Sequence, residues 1–386
     1  MASKEDGVYV CGIGFNKFSQ IDCHCDIIVN KPIRFDGKIV SVMAGSRNAI
    51  ILKRDDGTLT IRGFWSNCQR CEINISKRGQ CATLKEDELF VVDSEGILYK
   101  YSNETNEEVC NQMASPPSIK QIDLVENSST LFGVTESGNV YRWNEDNIPT
   151  QIVLLTKISQ ISCGVSHVLA CSESGNVYTW GTGSRGQLGH SSLEDAENPK
   201  LIDMLCGVNI KAVAAGGWHS LSLAESGDIY AWGWNEVGQL GFPATTLTDF
   251  SETKLEGDKS VSMLSTPALL ELEKYLGCDG YLTLIDISCG SRHSATVTSK
   301  GAAITWGWAK YGQLGHLCCV SNSEKNNSLT FMEKRSRNNF GNSCNEKAHL
   351  PGFVVFPDSN CSSVASVRCC AWSTFFKMHC VRNNTS

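Results

Sequence analysis

Three histidines, His167, His219 and His293, share one frame: a glycine three residues before and another glycine eight residues after. Equivalent imidazoles raise the question of a metal site, because neutral imidazole is a common ligand of zinc and its neighbours. The frame itself argues for structure instead. Residues repeated at a fixed period serve successive units one by one and do not converge on one ion. Weaker copies of the frame place Asn48 and Thr130 at the histidine position; both can hydrogen-bond, but they make a poor metal set. Each histidine is therefore expected to bond backbone groups of its own or the next unit, as a buried polar ring requires. Thiolates are the other candidates. Cys68 and Cys71, with Cys81, and the close pair Cys23 and Cys25 fall in different units, and a structural zinc site takes two short pairs at suitable spacing. No Gly-x-Ser-x-Gly elbow, no phosphate loop and no Gly-x-Gly-x-x-Gly opening a helix is present. The expectation is a chain with no catalytic, cofactor or metal residues.

The elements that carry these histidines can be read from the same frame. "SGDIYAWGWNEVGQLG" (226–241) returns as "SGNVYTWGTGSRGQLG" (174–189) and "KGAAITWGWAKYGQLG" (300–315). An apolar run ends at a glycine, Gly175, Gly227 or Gly301, where positive φ permits a tight hairpin turn. Alternation of apolar and other residues then marks a second strand. It bears a tryptophan, Trp180, Trp232 or Trp306, with Trp143 in a weaker copy, each expected to wedge between units as core. Seven frames, at Gly45, Lys85, Asn127, Gly164, Gly216, Gly290 and Cys370, have a shortest period near 40 residues. Strand-rich units at that period predict an all-β, seven-bladed propeller. The last frame holds half a unit. Its missing half, "GVYVCGIGFNKF" (7–18), lies at the other end of the chain, so N-terminal strands are expected to pair with the C-terminal half-repeat and close the ring. The whole of 1–386 then reads as one propeller domain, with 243–280 and 320–347 as long loops. A short helix is expected in "PALLELEKYL" within the first.

Gly-x-x-His, Ser-Gly-x-hydrophobic-Tyr-x-Trp-Gly and Gly-Gln-Leu-Gly in this order resemble the regulator of chromosome condensation family, whose members are seven-bladed propellers. The doubled Trp-Gly-Trp at Trp232–Trp234 and Trp306–Trp308 is similar to one short member in particular. That resemblance implies a nuclear, chromosome-associated role without catalysis. It also implies a Jumonji-type 2-oxoglutarate oxygenase as partner, with links to histone lysine demethylation, transcriptional repression, chromosome segregation and spindle organisation. Histones and chromatin would be met indirectly. The family's founding activity, guanine nucleotide exchange on a Ran-like GTPase, is the alternative.

Composition narrows the choice of partner. A net charge of −7 is the wrong sign for a dedicated nucleic-acid binder. No apolar run approaches a membrane span, and "MASKEDGVYV" carries charge where a secretory signal would be apolar. The 19 cysteines are scattered, and Cys163 and Cys289 share one repeat position, so they read as reduced core thiols. A monomer is expected. "EKRSR" (333–337) is read as a solvated loop. If the repeats are scaffold, binding falls to what they do not share. Trp234 and Trp308 exceed the generic repeat, and Arg142, Glu145 and Asp146 stand where its Trp-Gly exit is broken; these five are the candidate partner-binding residues.

Overall fold

The hairpin predicted around Gly227 is present in detail: Gly227 takes φ +94°, its N–H donates to Ala224, and the Ala224 N–H donates to Asp228. Gly175 (φ +81°) and Gly301 (φ +77°) turn in the same way. A side chain at any of these sites would need a backbone that L residues rarely adopt. The computed structural model describes residues 8–21, 28–35, 39–46, 48–64, 72–85, 88–103, 108–144, 146–244, 260–278, 280–316, 348–356 and 362–380.

The fold is all-β, built of antiparallel sheets. Near the N-terminus lie β1 (Val8–Phe15) and β2 (Ile28–Arg34). A seven-stranded sheet follows in chain order: β3 (Ile39–Gly45), β4 (Ala49–Arg54), β5 (Thr58–Gly63), β6 (Glu72–Leu84), β7 (Glu88–Asp93), β8 (Leu98–Asn103) and β9 (Glu108–Gln112). Then come four-stranded sheets, again in chain order. One holds β10 (Ile119–Val125), β11 (Thr130–Thr135), β12 (Val140–Trp143) and β13 (Pro149–Ile152); the next holds β14 (Ile158–Cys163), β15 (His167–Ser172), β16 (Val177–Gly181) and β17 (Ala196–Leu201). A third holds β18 (Ile210–Ala215), β19 (His219–Ala224), β20 (Ile229–Trp234) and β21 (Met263–Leu269); a fourth holds β22 (Leu284–Cys289), β23 (His293–Thr298), β24 (Ala303–Trp308) and β25 (Ala348–Phe353). Finally β26 (Ser362–Cys369) and β27 (Ser373–Cys380) join the N-terminal strands in the order β2-β1-β27-β26. Val8 lies opposite His379, and Gly14 opposite Ser373, so the two chain ends share one sheet. Helix is confined to α1 (Leu272–Leu276) and one 3₁₀ turn among the described residues.

Among the described residues no sheet closes on itself; the sheets stand side by side. The inner strands β3, β6, β10, β14, β18, β22 and β26 each contact the next, and β26 contacts β3. Apolar cores fill the spaces between neighbouring sheets. One joins Leu221, Leu223 and Ala231 to Leu284, Ile304 and Trp306 of the following sheet.

One loop expectation changes. The 243–280 stretch contains β21, the fourth strand of its sheet, which takes up the Pro-Ala-Leu of "PALLELEKYL", and only Leu272–Leu276 is helical. The 320–347 stretch, with Glu333 to Arg337, lies outside the described residues, as do Cys23, Cys25, Cys68, Cys71 and Glu145.

Candidate partner-binding face

The histidines are fully buried, and each reaches across to the next sheet. His167 Nε2 lies 3.0 Å from Ser220 Oγ, His219 Nε2 2.9 Å from Ser294 Oγ, and His293 Nε2 3.0 Å from Thr374 Oγ1. Those hydroxyls donate onward to the backbone carbonyls of Gln187 (2.8 Å), Gln239 (2.7 Å) and Gln313 (2.7 Å). A carbonyl can only accept, so each hydroxyl gives its proton there and accepts from the imidazole. This fixes the neutral Nε2–H tautomer. Burial pushes all three pKa values down to about 3, and for His219 the neighbouring His167 and His293 add to the effect. Each Nε2 thus meets a hydroxyl one sheet away. The frame glycine is tied to the same ring: a Cβ at Gly216 would collide with His219 Cε1.

The same carbonyls hold the tryptophans. Trp232 Nε1 donates to Gln187 O and Trp306 Nε1 to Gln239 O, both at 2.9 Å. Trp143 Nε1 donates to Ala114 O at 2.8 Å. Trp180 is buried against Phe132 of the preceding sheet, centroids 5.7 Å apart. Each exit turn is braced by its own glutamine, whose Oε1 accepts from the N–H two residues earlier in Arg185, Val237 and Tyr311. Phe18 N–H to Gln20 Oε1 repeats this bond at 3.0 Å near the N-terminus. The Gly-Gln-Leu-Gly phrase is therefore a plug that leaves one sheet and docks into the next.

One equivalence shifts. Ala49 lies opposite Gly63 as His219 lies opposite Gly233, so Ala49, not Asn48, occupies the histidine position. The Asn48 carbonyl accepts from Phe64 N–H as the Trp218 carbonyl does from Trp234 N–H. Thr130 does hold the histidine position, since Leu131 faces Trp143 as Val168 faces Trp180.

Inner strands are stitched in parallel fashion around a central cavity of about 560 Å³. Gln121 Oε1 accepts from Ile161 N–H, Gln160 Oε1 from Val213 N–H, Asp123 Oδ2 from Cys163 N–H and Asp286 Oδ2 from Val367 N–H. Side chains of one sheet thereby satisfy the open edge of the next. Burial raises the pKa of Asp123 and Asp286, while these N–H groups and the Arg368 charge pull it down. Cys163 and Cys289 also line the cavity, and burial pushes their thiols up. Among the described residues no group of three or more His, Cys, Asp or Glu is placed to hold a metal ion.

Trp234 and Trp308 are half-buried at the ends of β20 and β24, and they belong to one continuous belt. Arg185 lies over Trp218 (4.9 Å to the ring centre) and Trp234 (4.2 Å); Arg292 lies over Trp234 (5.1 Å) and Trp308 (5.6 Å). Trp308 meets Tyr311 and Trp372, and both meet Phe15, the rings 5.0 to 6.3 Å apart. Sequence reasoning named two members of this belt and missed the rest. The signal was there: Trp218, Arg292 and Trp372 occupy the residue before the histidine position, and Arg185 and Tyr311 stand two before the plug glutamine. Arg142, on β12, and Asp146, in the turn between β12 and β13, are exposed. They make no ring or ion contact with the belt among the described residues, and the Asp146 carboxylate accepts from Ile148 N–H.

The regulator of chromosome condensation (RCC1) repeat matches residues 174–223 and 226–297. RCC1 domain-containing protein 1 of Mus musculus is 42% identical over 42% of this chain and 49% of its own length. Its Homo sapiens counterpart is 41% identical over 41% and 46%. The chain thus matches about half the length of these curated relatives. The crystal structure of Prp20p from Saccharomyces cerevisiae, described together with its binding to Gsp1p and histones, superposes with a TM-score of 0.75 at 15% identity, covering 98% of this chain and 93% of Prp20p. Among the described residues no helix is long and apolar enough to cross a membrane.

Proposed function

We propose that this chain of RCC1 repeats is a non-catalytic interaction propeller of seven blades, its ring closed by the pairing of β1 with β27. Contact of each inner strand with the next, and of β26 with β3, supports the ring. The observation that carries the function is the belt. Trp, Tyr and Arg dominate interface energetics, and here they gather on one face where the repeat itself needs none of them. The partner we assign is a Jumonji-type 2-oxoglutarate oxygenase acting on chromatin, in the nucleus, with the propeller as its monomeric regulator or substrate. Likeness to RCC1 domain-containing protein 1 in mouse and human supports a role shared with those proteins. Calorimetry of the full chain against the oxygenase tests it: a 1:1 complex that depends on Trp234 and Trp308 is expected, and no heat of binding refutes the partner.

A second reading has its own support. The fold likeness to Prp20p, described with its binding to Gsp1p, favours nucleotide exchange on a Ran-like GTPase. A nucleotide-release assay with a panel of small GTPases separates the two. Accelerated release by a chain that ignores the oxygenase would favour exchange.

A further inference from the structure

We infer that the belt recognises an acidic protein segment through Arg185 and Arg292, an inference that rests on reading this face as the docking surface. Both arginines are half-buried with their guanidiniums over tryptophan rings, and among the described residues neither has a carboxylate within ion-pair distance. A cation–π contact uses the charge but none of the five N–H donors. Two rigid forks are thus held in place with their hydrogen bonds unspent, in a chain whose net charge is −7. A positive pair kept on an acidic protein complements an acidic partner.

Geometry narrows the segment. The two guanidinium carbons lie 4.2 and 5.1 Å from one ring centre, that of Trp234, and so are within about 10 Å of each other. Alternate residues of an extended chain are about 7 Å apart and point the same way. Carboxylates two residues apart on an extended segment can therefore meet both forks, each in a bidentate pair. Trp308, Tyr311 and Trp372 beside them offer apolar surface to the segment's flanks. A single-stranded nucleic acid fits less well. Its bases need open ring faces, but guanidiniums lie over Trp218, Trp234 and Trp308, and Trp218 and Trp234 meet edge to face at 5.5 Å.

The test uses the full chain and fluorescein-labelled twelve-residue probes: alternating Glu-Ser, alternating Lys-Ser, and oligo-dT. Anisotropy should show binding of the Glu-Ser peptide alone, weakened at least tenfold by Arg185→Ala or Arg292→Ala and by raising salt from 50 to 300 mM. Arg185→Lys with Arg292→Lys keeps charge and fold but loses the planar fork, and should weaken binding several-fold. Melting temperatures certify that the variants fold. Failure of the Glu-Ser peptide to bind, or binding indifferent to all these variants, overturns the inference, as does arginine-dependent binding of oligo-dT in its place. If Trp234→Ala with Trp308→Ala still abolishes oxygenase binding in either case, the docking face stands and only its acidic specificity falls. If the peptide binds through the arginines while the oxygenase ignores the tryptophans, the acidic site stands without that partner.

Discussion

From Ile158 to Gly315 the sheets are joined by plugs; from Ile39 to Ile152 they are joined without them. In the first region each exit turn sends a glutamine carbonyl into the next sheet, where it accepts from a hydroxyl backed by a histidine, and at Gln187 and Gln239 from an indole as well. In the second, β6 runs unbroken from Glu72 to Leu84 and serves two runs of strands, so they merge into one seven-stranded sheet. There the histidine position holds Ala49, Glu88 or Thr130, and the Thr130 side chain bonds the exposed Ser128 hydroxyl. Both regions have a buried aromatic, Trp143 or Trp232, and a stitch from Gln121 to Ile161 crosses from one region to the other. Wedge and stitch do not depend on the plug. The polar plug is an additional device of one region, and it ends in the loops that form the belt.

The largest effect should come from the sheet that lies between the two regions, against β22 on one side and β3 on the other. Deleting residues 1–15 removes β1 from between β2 and β27 and should abolish cooperative unfolding, read by circular dichroism in urea. An unchanged melting temperature would refute the terminal pairing. Next, Trp232→Ala and Trp143→Ala should each cost about 3–5 kcal/mol by chemical denaturation, since both rings are buried to 1% exposure or less. A much smaller cost at Trp143 would break the claim that the wedge is common to both regions.

His219→Ala should cost about 1–3 kcal/mol by stranding the Ser294 hydroxyl, while Thr130→Ala at the equivalent position stays within about 0.5 kcal/mol. Acid sharpens this difference. Folding holds His219 neutral, with its pKa lowered from 6.5 to about 3. The unfolded chain therefore binds more protons between those values. The contribution of His219 is fully present above pH 6.5 and drains away as pH falls towards 3. The wild-type stability curve should slope more steeply over that window than that of His219→Ala, and equal slopes would contradict the buried neutral ring.

The scaffold was legible because its needs are periodic. Positive φ at Gly227, burial at Trp232 and a partner for His219 recur at every strong repeat and leave residue types behind. The partner atoms were not legible. Gln187 acts through its backbone carbonyl, which no sequence pattern marks, and Ser220 reads as an ordinary strand residue until the next sheet is set against it. The belt escaped for a different reason. Trp218, Arg292 and Trp372 fill one repeat position with unlike side chains, and they become one surface only when neighbouring sheets are placed side by side. Asn48 misled because the extra residue in its repeat shifts the register by one, as the Ala49–Gly63 pairing shows.

The central claim is that repeats hold the fold while the belt does the binding, and one double variant addresses it directly. Trp234→Ala with Trp308→Ala, titrated against the oxygenase by calorimetry with melting measured alongside, should lose about 2 kcal/mol or more of binding energy per tryptophan at a melting temperature near wild type. Full binding by the double variant, or a collapse of its fold, would contradict the account.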